Sequence, residues 1–179
     1  GSTVELAVEA IGTRIRNEGI KVKALCSSLR ITEIAIKNGI EVLSPFTETK
    51  LDWAFDGADE VDPHKNLIKG GGAAMFQERL VAEQSGKFVV IVTEDKLVSF
   101  LGETWAVPVE VFPQAKNIFL RDVQKLQPIS VQQRLGTGKY GPVVSDNGNL
   151  VYDVKFSKVD LETHRNLKCI CGVLDTGIF

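Results

Sequence analysis

Residues 87–94 read KFVVIVTE, and the five positions from Phe88 to Val92 are all apolar. A strand without polar alternation cannot turn one face to water. It belongs in a sheet covered on both sides, which is the setting of parallel strands. That run favours an architecture in which strands alternate with covering helices. The rest of the first hundred residues agrees. Ser2 or Thr3 can cap a helix carrying Val4, Ala7, Val8, Ile11 and Ile15 at helical spacing and closed by Gly19. Then follow a strand in KVKALCSS (21–28), a helix in ITEIAIKNG (31–39), a strand in IEVLSP (40–45), a third over Leu51–Phe55, and a helix in AAMFQERLVAEQSG (73–86).

The pattern changes near Trp105. VPVEVFP (107–113) reads as a strand, KNIFLRDVQKL (116–126) as an amphipathic helix, and VVSDNGNLVYDVKF (143–156) as two β-rich runs around an Asp146–Asn149 hairpin turn. DLETHRNLKCI (160–170) is helical again. The expected fold class is α/β. A parallel-sheet, Rossmann-like main domain takes residues 1–105 plus 169–179, and a smaller α+β, ferredoxin-like domain with an assembly role takes 106–168.

Composition narrows the function classes. With 21 basic against 23 acidic residues the net charge is −2, which lacks the footprint of a nucleic-acid binder. No stretch approaches the roughly 18 apolar residues of a membrane span. Cys26, Cys169 and Cys171 have no CxxC spacing and there are two histidines, so neither a disulfide framework nor a zinc site is expected. A reducing, cytoplasmic setting follows. The start at GSTVELAVEAIG, without Met, and the end in the strand-like GVLDTGIF both read as cut, so a targeting signal would not be visible.

The chemistry concentrates in residues 56–72, DGADEVDPHKNLIKGGG. Asp56 follows an apolar strand directly, at the carboxyl end where open parallel sheets bind ligands. Gly57 and Ala58 are small enough to let a ligand near the backbone, and Asp59 comes next. As an alternative, these aspartates cap loop amides. A calcium loop fails on spacing, since its twelfth position is Leu67. Lys69 precedes Gly70, Gly71 and Gly72, whose amides lead into a helix and suit an anion. The order rules out a nucleotide P-loop, in which the lysine follows the glycines. Glu78 sits six residues after Gly72. Lys96, after the strand at 87–93, offers a second cation. Gly1, Ser2 and Thr3 offer amides and hydroxyls to a phosphate, and Ser27 and Ser28 offer hydroxyls or a helix cap. Cations and amides beside carboxylates suit proton-transfer chemistry on a small phosphorylated sugar.

On GST at the first helix, DGADEVD, LIKGGGAA with Glu78 in the next helix, Lys96 after a strand, the DNGN hairpin and the GVLDTGIF ending, the chain resembles type A ribose-5-phosphate isomerase. The resemblance implies interconversion of ribose 5-phosphate and ribulose 5-phosphate, without metal or cofactor, by a homodimer or homotetramer. It makes Glu78 the base that moves a proton between C1 and C2. Lys69 and the Gly70–Gly72 amides would hold the enediolate charge, Asp56 and Asp59 the hydroxyls, with one of them aiding ring opening. Gly1, Ser2, Thr3 and Lys96 would anchor the phosphorylated substrate, with Gly57 and Ala58 beside it. The family's first strand, ahead of GST, has no counterpart here. Sugar-phosphate deaminases and sugar-sensing effector domains share the fold and stand as rivals.

Overall fold

The computed structural model describes residues 2–46 and 50–179. The fold is mixed α/β. Its elements are α1 (Ser2–Glu18), β1 (Lys23–Ala24), α2 (Leu29–Lys37), β2 (Glu41–Val42), β3 (Ala54–Asp56), β4 (Glu60–Val61), β5 (Leu67–Ile68), α3 (Met75–Glu83), β6 (Phe88–Val90), β7 (Val107–Val111), α4 (Lys116–Asp122), β8 (Ser130–Gln133), β9 (Leu150–Lys155), α5 (Leu161–Lys168) and β10 (Val173–Thr176). They fall into two compact units, Gly1–Gly57 with Gln77–Val92, and Ala58–Phe76 with Thr93–Phe179.

In the first unit, α1 and α2 bury Val4, Val8, Ile31 and Ala35 in one small core with Ile40. Gly19 ends α1 with φ +67° and donates its N–H to the Ile15 carbonyl at 3.0 Å, the left-handed cap its position promises. Thr3 lies inside the first turn of α1, so it is not the helix cap. Ser28 does cap α2, accepting from the Ile31 N–H at 3.3 Å.

The strands are shorter than the apolar runs, and they do not join into one parallel sheet. β1 pairs with β2 and β3 with β6, both in parallel, as two separate ladders. A cavity of about 660 Å³ in this unit is lined by residues 20–27 and 50–56, with Val4, Val8 and Ile11 of α1 also on its wall.

The second unit is built on an antiparallel sheet of order β10-β7-β9-β8. The chain supplies it as β-α-β-β-α-β, with α4 and α5 as the crossovers. β7 is buried along its whole length, and its valines meet Phe119, Tyr152, Val154 and Leu167 in the main core. The expected division assigns 169–179 to the larger domain, whereas β10 pairs here with β7. The Asp146–Asn149 turn is present, with φ +81° at Gly148, but its first arm makes only an isolated bridge between Val144 and Leu150. Buried Glu110 holds the turn, accepting from Ser145 Oγ at 2.6 Å, Asn147 Nδ2 at 2.9 Å and Asn149 Nδ2 at 3.0 Å. No helix among the described residues is long and apolar enough to cross a membrane.

Glu60, one of the acids in the 56–62 run, has a structural task. It is completely buried and accepts from the N–H groups of Gly102 and Thr104 at 2.6 Å each, and from the Trp105 N–H and Thr104 Oγ1 at 2.7 Å each. Removing the carboxylate leaves three amides without their acceptor, that of Gly102 in the interior and those of Thr104 and Trp105 nearer the surface. Glu60→Ala is therefore expected to destabilise the fold by roughly 1–3 kcal/mol. Urea unfolding checks this, and a loss under about 1 kcal/mol would show that solvent replaces the carboxylate without cost.

Candidate active site

In the first unit the parallel pairing of β3 with β6 sets Asp56 opposite Val90, and the Asp56 carbonyl accepts from the Ile91 N–H at 2.8 Å. The Asp56 side chain therefore stands at the carboxyl end of its strand, as its sequence position requires. Its Oδ1 accepts from the Gly57 N–H at 2.8 Å, which fixes the carboxylate over the start of the loop. Asp56 and Glu78 both line the 660 Å³ cavity, together with Ser27. Glu78 belongs to the part of α3 that lies in this unit and is half-buried. Thr3 is exposed at the start of α1. Gly1 and the Ser2 side chain, the other phosphate candidates, lie outside the described residues.

The second unit holds the other half of the predicted residues. After Ala58, Asp59 gives its backbone N–H to the Ile68 carbonyl at 2.7 Å, alongside the antiparallel β4–β5 pair. Asp62 then closes the turn between those strands, accepting from the N–H groups of His64 at 2.9 Å and Asn66 at 2.8 Å. His64 is an exposed turn residue. Beyond β5 the backbone pairs with the C-terminal segment. Lys69 N–H donates to the Gly177 carbonyl at 2.8 Å, while Leu67 and Phe179 exchange hydrogen bonds of 2.8 and 3.0 Å. A Cβ at Gly177 would lie 2.1 Å from the Lys69 carbonyl oxygen, so only glycine lets the two backbones approach.

Lys69 is 2% exposed, and its Nζ lies 5.6 Å from the centre of the Phe179 ring. Gly70 has φ +97°, a conformation natural to glycine. A side chain there would also press on Met75 at 2.8 Å. The Gly71 N–H donates to Asp59 Oδ2 at 2.8 Å. Gly71 is thus committed to the aspartate, whereas Gly72 faces open space: nothing lies within 4 Å of where its Cβ would be. Half-buried Lys96 ends a short 3₁₀ turn, with Asp95 at 3.3 Å.

Burial raises the Asp59 pKa above the ordinary 3.8, against the lowering pull of the Gly71 amide and the charges of Lys69, Arg134 and Lys96. The folded chain therefore binds this proton more tightly than the unfolded chain does. The Asp59 contribution is most favourable at or below about pH 3.8 and is lost as pH rises through the elevated folded value. Asp59→Asn keeps an acceptor for Gly71 but cannot ionise. Its stability relative to wild type is expected to rise with pH across that window, as read by urea unfolding at a series of pH values. A difference that stays flat with pH would mean that Asp59 has an ordinary pKa.

The family profile described as "Ribose 5-phosphate isomerase A (phosphoriboisomerase A)" matches residues 23–179. The chain belongs to the ribose 5-phosphate isomerase A family. Ribose-5-phosphate isomerase A of Trichodesmium erythraeum is 44% identical over the whole of this chain and 76% of its own length. The protein of the same name from Archaeoglobus fulgidus is 43% identical over all of this chain and 80% of its own. Among solved structures, ribose 5-phosphate isomerase A of Methanocaldococcus jannaschii superposes with a TM-score of 0.95 at 39% identity, covering all of this chain and 80% of that one. A D-ribose-5-phosphate isomerase in complex with phospho-erythronic acid gives 0.94 at 37%, covering 100% and 79%.

Sequence reasoning misses one residue in the second cluster. Arg134, just past β8, donates from Nη1 to the carbonyls of Gly70 at 2.8 Å and Gly71 at 3.1 Å. Nothing in its local sequence signals this, because its partners are 64 and 63 positions away.

Proposed function

We infer that this chain interconverts ribose 5-phosphate and ribulose 5-phosphate, carried by the family match over residues 23–179. Starting from the open-chain aldose, Glu78 takes the C2 proton. Electron density moves through a new C1–C2 double bond to O1, and the resulting enediolate is held by Lys69 and the glycine amides. The proton returns to C1, and the O2 hydroxyl proton passes to O1. Asp56 and Asp59 hold sugar hydroxyls, with one of them aiding ring opening. Lys96, with the Gly1–Thr3 segment, binds at the phosphate, and Gly57 and Ala58 line the substrate. The burial of Lys69 supports its role, since a buried ammonium is costly to keep and strong when an anion forms beside it.

The parallel strand pairs support a Rossmann-like reading of the first unit, and the β-α-β-β-α-β order supports a ferredoxin-like reading of the second. A homodimeric or homotetrameric assembly completes the proposal, and light scattering tests it. The function itself is tested by mixing the protein with ribose 5-phosphate and following ketose formation by NMR, with and without EDTA. Ketose is expected in both samples. Binding without conversion would make the chain a sugar-phosphate sensor, and ammonia release from an amino sugar phosphate would make it a deaminase.

A further inference from the structure

We propose that Arg134 is a positioning residue for the isomerisation, locking the Gly70–Gly71 and Gly71–Gly72 peptides so that the Gly72 N–H stays turned toward the anion. The proposal rests on reading Lys69–Gly72 as the anion cradle.

Each trans peptide carries its C=O and N–H on opposite sides of one plane, so fixing the oxygen fixes the direction of the hydrogen. The first peptide is held at both ends: its oxygen, on Gly70, accepts from Arg134 Nη1 at 2.8 Å and from the Ala73 N–H at 2.9 Å, and its N–H, on Gly71, donates to Asp59 at 2.8 Å. The second is held by its oxygen alone, the Gly71 carbonyl at 3.1 Å from the same nitrogen. Its N–H belongs to Gly72 and, in a trans peptide, lies opposite the Gly71 carbonyl and so points away from the guanidinium. A peptide between two glycines rotates with little steric resistance. The Ala73 N–H to Gly70 carbonyl bond at 2.9 Å closes the turn but leaves this central peptide able to flip, so without the arginine its carbonyl can take the place of the N–H and repel the enediolate.

Arg134 is itself rigid. Its Nε donates to Asp153 Oδ2 at 2.9 Å, and Nη2 pairs with the other oxygen of that carboxylate. Its backbone is fixed on both sides, N–H to the Val151 carbonyl and C=O to the Val143 N–H, each at 2.9 Å. Asp153 lies in β9, so the sheet core holds the guanidinium and the guanidinium holds the loop. Lysine cannot reproduce a planar fork that grips a carboxylate and two successive carbonyls together.

The test compares Arg134→Met and Arg134→Lys with wild type in the complete protein, measuring kcat, KM for ribose 5-phosphate, inhibition by phospho-erythronic acid and thermal stability. Both variants should lose kcat, Arg134→Met by about 100-fold, the scale of a lost oxyanion donor. KM should change less than about threefold, because ground-state binding does not need this donor. Added guanidinium ion should restore part of the loss in an Arg134→Ala variant. If Arg134→Met unfolds, Arg134→Lys alone decides. A folded Arg134 variant with kcat within about threefold of wild type overturns the proposal, as does a loss expressed only in KM. Lys69→Met separates the two readings. If it retains turnover the anion cradle itself is wrong. If it loses turnover while the Arg134 variants do not, the cradle stands and the arginine lock falls.

Discussion

Glu78→Gln is expected to lower ribose 5-phosphate turnover by about 10³-fold while the sugar phosphate still binds, within the range that general-base catalysis contributes. The carbon acid in an α-hydroxy aldehyde is weak, so proton removal needs a base in reach as well as a place for the charge. Glutamine matches the size of Glu78 but cannot accept the proton. The position of Glu78 on the wall of a cavity shared with Asp56 gives a substrate hydroxyl and the base a common space in the first unit. The mutant should therefore show a collapsed kcat with KM within a few-fold of wild type, and should lose exchange of the C2 hydrogen with deuterated solvent. Exchange at the wild-type rate in Glu78→Gln would assign the base to another residue.

Much of the fold is legible in the amino-acid sequence, but unevenly. Gly19 and Gly39 close their helices where the periodicity stops, because a left-handed residue leaves a local signature. Phe88–Val92 announces a buried strand, whereas ladder pairing covers only Phe88–Val90, those three residues are half-buried and Ile91 is exposed. β8 escapes notice, since Ser-Val-Gln-Gln has no apolar alternation and becomes a strand only through β9. In the site, Asp56, Lys69 and the glycines stand out because their residue types are unusual for their local setting. Glu60 stands among the same acids and has a different task, which only the amides of residues 102–105 reveal. Arg134 is invisible for the same reason. Its value lies in two carbonyls and a carboxylate that tertiary structure brings to it, and a sequence orders residues without their distant partners.

Lys69→Met separates stability from function more sharply than the other substitutions. Methionine keeps most of the length and apolar body of lysine and removes the charge. The lysine is 2% exposed, with its ammonium near the Phe179 ring and within electrostatic reach of Asp59. Removing the ammonium lifts its desolvation cost but also takes a charge away from the Asp59 carboxylate, so the two effects offset and the net change in stability is expected to be small. Turnover should fall by about 10²–10³-fold, because the charge is needed only once the enediolate forms. The expected pattern is a low kcat, a KM within a few-fold of wild type, and a melting temperature close to that of wild type. An unchanged kcat with a raised KM would mean that Lys69 binds the ground state and the transition state equally. A loss of both turnover and stability would instead make the ammonium a structural counter-charge to Asp59, and Asp59→Asn combined with Lys69→Met should then recover the lost stability.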